Sequence, residues 1–361
     1  MKILDRYIFF KYISTFLFTV LIFTMIASVI DFSEKVENFI KEPCTKEEII
    51  FDYFINFIPY INSLLVPLYA LISVVFFTSR LAFNSEIISV LNAGISFRRL
   101  MVPYLIAGSV IALFHLYANH FLVPIGNKSR LDFEHKYIWK DSDFGKTKDV
   151  HMFLSDSSKI YIRFYNKDDT SARDVRIERF AGQDLIYMLK AQDLKWLGPP
   201  NHWRIENYEI RTFEGEKENL ILGKRQHIDT TLNLVPADFV RFSNQKEMLS
   251  SPALLDFVEA ERARGFSNTK NFEIEFHRRS AEPVTVLILT IIGMAVASRK
   301  VRGGMGLHLA IGIGLGAIFI FLSKFSITFA TNQGMPAILG VWIPNILFSG
   351  VAFWLVSKAQ K

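Results

Sequence analysis

One cysteine in 361 residues, Cys44, leaves no intramolecular disulfide to be made, so any folded part of this chain has to hold by packing alone. His, Cys, Asp and Glu nowhere cluster at metal-ligand spacing. His115 and His120 share an apolar segment, yet a separation of five residues sets them on different faces of a regular α-helix. They read as buried polar or interfacial side chains. Gly303-Gly304-Met305-Gly306 is not followed by Gly-Lys-Ser/Thr, so it reads as a flexible turn and not as a phosphate-binding loop. No segment repeats at the roughly 20–50-residue period of a solenoid or propeller. These gaps exclude a disulfide scaffold, a P-loop nucleotidase and a repeat array, and they leave no cofactor to name.

What the chain has in excess is apolar length. Half its residues are hydrophobic and 34 are phenylalanine, a composition that suits lipid-facing helices better than a soluble core. Six segments stand out: 8–30, 54–77, 100–123, 281–297, 305–329 and 339–356. About 20 apolar residues cross a ~30 Å hydrocarbon core at 1.5 Å per residue. The fourth segment is the weakest and spans only with Glu282 and Pro283 at the interface. The first follows Lys2, Arg6 and Lys11 as a signal peptide would, but its apolar run is too long and acidic sequence follows it, so it reads as a retained anchor. About 150 polar residues separate segments three and four. The expected fold is therefore membrane α-helical, six transmembrane helices as three plus three, with an inserted antiparallel β domain. Residues 1–126 hold the first three helices, 127–250 the β domain, 251–280 connecting helices, and 281–361 the last three.

The net charge of +6 is not a nucleic-acid signal, because of where it sits. With the N- and C-termini inside, the cytoplasmic pieces carry eleven basic residues (Arg80, Arg98, Arg99, Arg299, Lys300, Arg302, Lys358 and Lys361 among them) against Asp5 and Glu86, a net +9. Residues 127–280 balance 26 basic against 25 acidic groups. That asymmetry is the positive-inside pattern of a membrane protein.

The polar insert alternates as strands do in Lys159–Tyr165, Asp174–Phe180 and Trp203–Arg211, with shorter candidates at Val150–Leu154, Leu185–Leu189, Asn219–Leu222 and Ile228–Leu234. Asp168-Asp169, Gly182, Gly198-Pro199-Pro200-Asn201 and Gly215 punctuate them. Seven or so short strands at this spacing predict an antiparallel sandwich or jelly roll. Ser251-Pro252 opens a helix that Gly265 closes, with Leu254, Leu255 and Val258 opposite Glu259, Glu261 and Arg262. A second helical run, 271–280, leads into the fourth span.

Three features carry function. Between spans two and three, Ser85–Gly94 predicts a short amphipathic helix with a Ser N-cap beside Glu86, an apolar stripe of Ile87, Ile88 and Leu91, and a stop at Ala93-Gly94. Its stripe needs either lipid or a protein partner. Lys324 lies within span five, where it either snorkels to the interface or meets an anionic head group in a polar cavity. At the outer juncture, Glu34, Lys35 and Glu37 follow span one, and Arg278, Arg279 and Glu282 precede span four. Arg278 and Glu282 are four apart, so an ordinary helix ion pair competes with a charged vestibule for a lipid.

Leu4-Asp5-Arg6-Tyr7-Ile8, Ser85-Glu86 through Ala93-Gly94-Ile95-Ser96 with Arg98-Arg99-Leu100, Phe276-His277-Arg278-Arg279 with Pro283, and Trp342-Ile343-Pro344-Asn345 occur in this order. With the 3+1+3 layout, the sequence resembles the LptF/LptG (YjgP/YjgQ) permeases of the lipopolysaccharide exporter over its whole length. Asp31–Glu37 favours the LptG-like branch. The resemblance implies a non-catalytic half of an ABC transporter that extracts lipopolysaccharide from the outer leaflet of the bacterial inner membrane. It implies a paralogous LptF-like permease beside it and a dimeric LptB-like ATPase docked on a coupling helix at Glu86, Ile87, Leu91, Ala93 and Gly94. The β domain becomes a periplasmic jelly roll that hands lipid to an LptC/LptA-like bridge of similar domains. No motif places the head-group contacts; Lys35, Lys324, Arg278 and Arg279 are the candidates. A membrane receptor with a β sensor domain and a membrane-embedded lipid-modifying enzyme are the rival readings. The first lacks any signalling module and the second any catalytic constellation.

Overall fold

The computed structural model describes residues 2–139, 148–155, 157–166, 169–215, 217–239, 244–263, 269–299, 304–332 and 334–359. Asp168, Gly265, Lys300, Arg302, Gly303 and Lys361, used above, lie outside them. Two compact units emerge: residues 1–138, 247–252 and 270–361, and residues 139–246 with 253–269.

In the first unit, six helices among the described residues are long and apolar enough to cross a membrane. They are α1 (Ile3–Lys41), then α2 (Ile55–Phe83) with a π-helical lead-in at Glu48–Phe54, then α4 (Phe97–Tyr117) running through a π-helical turn at Ala118–Leu122 into α5 (Val123–Tyr137). After the insert come α8 (Lys270–Ala297), α9 (Gly304–Asn332) and α10 (Ala337–Ala359). The short α3 (Glu86–Asn92) joins α2 to α4. The third span continues as helix to Tyr137, so the helical part extends past residue 126 into the polar sequence. The π-helical lead-in leaves carbonyls that a regular turn would occupy, and Asn56 donates its amide to two of them, Phe51 at 3.0 Å and Asp52 at 2.9 Å.

α8 is the most buried of the six and packs on α2, α4, α9 and α10. Small residues allow this. A Cβ on Gly293 would meet Leu71, Val74 and Val75 of α2 at 3.1–3.3 Å. On α9, a Cβ on Gly312 would come to 2.9 Å of Val75, and one on Gly316 to 3.0 Å of Leu68, whereas Gly314 faces open space. The close approach of α9 to α2 is thus made by an i,i+4 pair of glycines, Gly312 and Gly316. Tyr12 of α1 and Thr290 of α8 share a buried 2.7 Å hydrogen bond across 278 residues of sequence. At the N-terminal end of α1, Arg99 ion-pairs Asp5 at 2.6 Å, tying α1 to the start of α4.

The second unit is antiparallel throughout. Its strands are β1 (Lys148–Ser155), β2 (Ser158–Asn166), β3 (Ser171–Ala181), β4 (Asp184–Gly198), β5 (His202–Glu214) and β6 (Lys217–Thr231), paired in chain order in one sheet. Among the described residues, the expected seven or so short strands are six longer ones. Asn219–Leu222 and most of Ile228–Leu234 belong to β6, whose register shifts around Glu206–Tyr208 of β5 where the Tyr208 ring occupies the space over Gly223. The sheet is bent. Phe239 stacks on Tyr165 of β2 with centroids 3.8 Å apart and meets Trp203 of β5 at 6.4 Å. Strands three places apart would stand roughly 14 Å from each other in a flat sheet. The segment after β6 threads the concave face: Trp203 donates to the carbonyl of Leu234 (2.8 Å), and Asn233 donates to the carbonyl of Leu154 on β1 (3.2 Å). One sheet curled on its own core thus takes the place of two facing sheets.

The helix after the sheet, α7 (Ser251–Ala263), buries Leu254 and Val258 as expected, but Leu255 is exposed and Glu261 is buried. A preceding short turn, α6, spans Gln245–Met248.

Candidate functional site

Four helices of the first unit line a partly open cavity of about 310 Å³. Leu64, Leu65 and Leu68 of α2, Leu289 of α8, and Phe319 and Ile320 of α9 give it apolar walls. Its polar groups are Arg278, Glu282 and Thr285 of α8, Ser323 and Lys324 of α9, and Asn345 of α10. Consecutive helices joined by short connections run antiparallel. Arg278 and Lys324 therefore lie toward one end of the cavity, and Leu289 and Gly316 toward the other. α9 continues to Asn332, which puts Lys324 eight residues, about 12 Å, from the helix end. Lys324 is exposed, and among the described residues its ammonium has no carboxylate partner.

α8 supplies most of the charge. Arg278 donates to Glu282 at 2.7 Å and to both oxygens of Glu275 at 3.0 Å. Arg279, buried, donates to Glu275 (3.1 Å), to the carbonyl of Leu249 (2.8 Å) and to the Ser251 hydroxyl (3.1 Å). The expected i,i+4 ion pair is present, and Glu275 is the acid that the sequence reading overlooked. Its spacing of three and four from the two arginines was the available signal.

His115 and His120 do not diverge as a regular helix would have them. The π-helical turn at Ala118–Leu122, which contains His120, widens the helix locally, and both histidines meet α8. His115 lies 3.9 Å from Glu282, and His120 bonds Ser280 at 3.3 Å. Asn119, inside that turn, donates to Glu282 at 2.9 Å. His115 sits 2.9 Å from the carbonyl of Ser63, which only accepts, so Nε2 carries the proton. Among the described residues, no group of three or more His, Cys, Asp and Glu is placed to hold a metal.

Lys35 lies in a separate cluster. It ion-pairs Asp31 (2.8 Å) and Glu134 (2.9 Å) and contacts the hydroxyl of Tyr53. Arg130 donates to Glu134 at 2.9 Å and stacks over Tyr60, 4.1 Å from its ring centre. Two cations and two anions balance here, ringed by Phe39, Phe57 and Phe133. Of the four head-group candidates, the structure brings Arg278 and Lys324 to one cavity, sets Arg279 behind it, and places Lys35 elsewhere.

On α3, Ile87 is buried, Leu91 is half-buried, and Glu86, Ile88 and Ala93 are exposed. The Ser85 cap is corrected. Its backbone is left-handed, φ 62°, its side chain makes no capping bond, and its carbonyl instead accepts from Ser89 at 3.0 Å. Gly94 stops the helix as expected, with φ 85°, a conformation that side chains disfavour.

Comparison with known proteins bears on the whole chain. The family model "Lipopolysaccharide export system permease LptF/LptG" matches residues 6–358. The chain is 22% identical over 301 residues to lipopolysaccharide export system permease protein LptG of Haemophilus influenzae, covering 81% of each. It is 21% identical over 163 residues to LptG of Escherichia coli K12, covering 44% of each.

Proposed function

Because this chain belongs to the LptF/LptG family of lipopolysaccharide export permeases, we propose that it is the LptG-like membrane half of an ABC exporter. It withdraws lipopolysaccharide from the outer leaflet of the inner membrane, and ATP is hydrolysed by a separate chain. One observation carries the reading: the family match runs through both the six-helix bundle and the inserted sheet, not through one of them. The positive-inside pattern supports cytoplasmic termini and puts α3 on the cytoplasmic side. There its exposed Glu86 and Ile88 face a docking ATPase while Ile87 anchors it to the bundle. The β unit then lies in the periplasm, where the outer strands β1 and β6 each leave one edge for a similar domain to pair with.

Among the four cations, Lys324 meets the lipid head group, with Arg278 beside it. Lys35 and Arg279, each held by carboxylates, position the helices around it. Co-expression with the paralogous permease and the ATPase tests this. The expected result is a stable assembly containing two ATPase copies and co-purifying lipopolysaccharide. A chain that assembles with neither partner and carries no lipopolysaccharide would overturn the reading.

A further inference from the structure

We propose that the Asp5–Arg99 ion pair is the joint through which movement of α3 enters α1, and that Tyr12 passes that movement on to α8. Asp5, Arg99 and Tyr12 are then positioning residues for export. The proposal rests on the permease reading in taking α3 as the helix on which the ATPase docks.

α3 is not free to move alone. Only four residues join it to α4, and the Ser96 side chain fixes the start of α4 by accepting from the Arg99 backbone at 3.3 Å. Arg99 is the third residue of α4, and its guanidinium reaches Asp5 in the first turn of α1 at 2.6 Å. The same carboxylate oxygen accepts from the Lys2 backbone at 2.9 Å. Asp5 is buried, and a buried carboxylate parted from its cation is strongly disfavoured. Beside this pair, Ile87 of α3 shares one apolar core with Ile8 and Tyr12 of α1 and with Phe97 and Leu100 of α4. A shift of α3 therefore draws Arg99 with it, and Arg99 draws Asp5.

α1 is built to carry a displacement. A loaded helix bends first where a proline has removed a backbone bond or where glycine lowers the helical preference. Prolines interrupt α2 (Pro59 and Pro67), α4 (Pro103), α8 (Pro283) and α10 (Pro344). α9 carries Gly306, Gly312, Gly314 and Gly316. Among the six described spans, α1 alone has neither residue type in its 39 residues, a rod of about 58 Å.

The rod meets α8 at Tyr12, seven residues beyond Asp5 and so two turns along. Thr290 donates its one hydroxyl proton to the carbonyl of Val286 at 2.7 Å, so Tyr12 is the donor in the 2.7 Å bond between the two hydroxyls. Leu289, next to Thr290, lines the cavity. The route α3, Arg99, Asp5, Tyr12, Thr290 is contiguous from the docking helix to the cavity wall, as a physical coupling path has to be.

The test uses the full chain assembled with its paralogue and the ATPase in liposomes loaded with lipopolysaccharide, and measures ATP hydrolysis and lipopolysaccharide released per ATP. Asp5→Asn and Arg99→Gln should assemble and hydrolyse ATP near the wild-type rate, while release per ATP falls about fivefold or more, as loss of a typical coupling would give. The double variant should fall no further than either single one; losses that multiply mark the two residues as independent and overturn the joint. Tyr12→Phe, which keeps the ring and removes the donor, should lower the same ratio, and a wild-type ratio there overturns the step to α8. Hydrolysis and release that fall together, leaving the ratio unchanged, overturn the proposal, since the pair then only braces the fold. If neither neutral variant assembles, Arg99→Lys takes their place, because it keeps the charge without the fixed guanidinium fork. A lowered ratio then supports the joint, and a wild-type ratio overturns it. A wild-type assembly that releases no lipopolysaccharide strikes the permease reading instead.

Discussion

Asn345 donates its side-chain amide to the carbonyl of Ala281 across 3.0 Å, stitching α10 to α8 two residues before Pro283. Its own side-chain oxygen accepts from Thr285 at 2.8 Å. Asn345 is buried, and it lies beside a helix whose proline withholds one backbone donor. The same side chain forms part of the cavity wall.

Replacing it with leucine removes both bonds at once. Asn345→Leu should cost about 1–2 kcal/mol of bundle stability, the upper part of the range for interhelical polar contacts in membranes. Asn345→Ala, which likewise loses both bonds, should fall at least as low. Thermal unfolding of the purified protein in detergent measures both, and wild-type behaviour of the leucine variant would show that the contact contributes nothing.

The glycines of α9 give an internal control. Gly312→Val places side-chain atoms where Val75 already stands, whereas Gly314→Val projects into open space. Overpacking of this kind costs about 1–3 kcal/mol. Yield and thermal stability should drop for the first substitution and hold for the second; equal losses would mean that residue type, not contact, decides.

Lys35 offers a test of charge balance. Lys35→Met removes the one cation that, among the described residues, pairs both Asp31 and the buried Glu134, leaving Arg130 on Glu134, and breaking a buried pair costs about 3–5 kcal/mol. Adding Glu134→Gln restores neutrality and should recover much of the loss. If instead the single variant is fully stable but captures less lipopolysaccharide, Lys35 is a lipid contact and not a brace.

Glu86→Lys should leave the bundle intact, since Glu86 is exposed, and should weaken ATPase docking by setting like charge against a basic groove. Ile87→Asp, at a buried position, should instead lower the yield of the permease itself. Pull-down of the ATPase against membrane-extracted protein separates the two outcomes; normal docking by Glu86→Lys would remove α3 as the coupling element.

The spans were legible because lipid demands one thing of a sequence, a long apolar run, and each helix supplies it within itself. The strands were legible for a similar reason: Lys159–Tyr165 alternates because one face of β2 is buried. Pairing order is not written in alternation, so a curled meander and a two-sheet sandwich look alike until Phe239 is seen against both Tyr165 and Trp203. The charged clusters were half legible. Arg278 and Glu282 are neighbours on one helix, but Lys35 and Glu134 are separated by 99 residues, and nothing local announces their bond. The π-helical turn at Ala118–Leu122 has no marker in its residue types, which is why His115 and His120 read as lying on different faces.

The Tyr12–Thr290 bond has a consequence in time. At about 5–20 residues per second of synthesis, the 278 residues between its two hydroxyls take roughly 14–56 s to make. From Tyr117 onward α1, α2 and α4 have all been made, while the helix that fills their shared groove does not yet exist. The first half of the chain must wait in the bilayer as an unfinished bundle, with the Tyr12 hydroxyl and the notch at Gly108, which Thr290 later covers, open to whatever else the membrane contains.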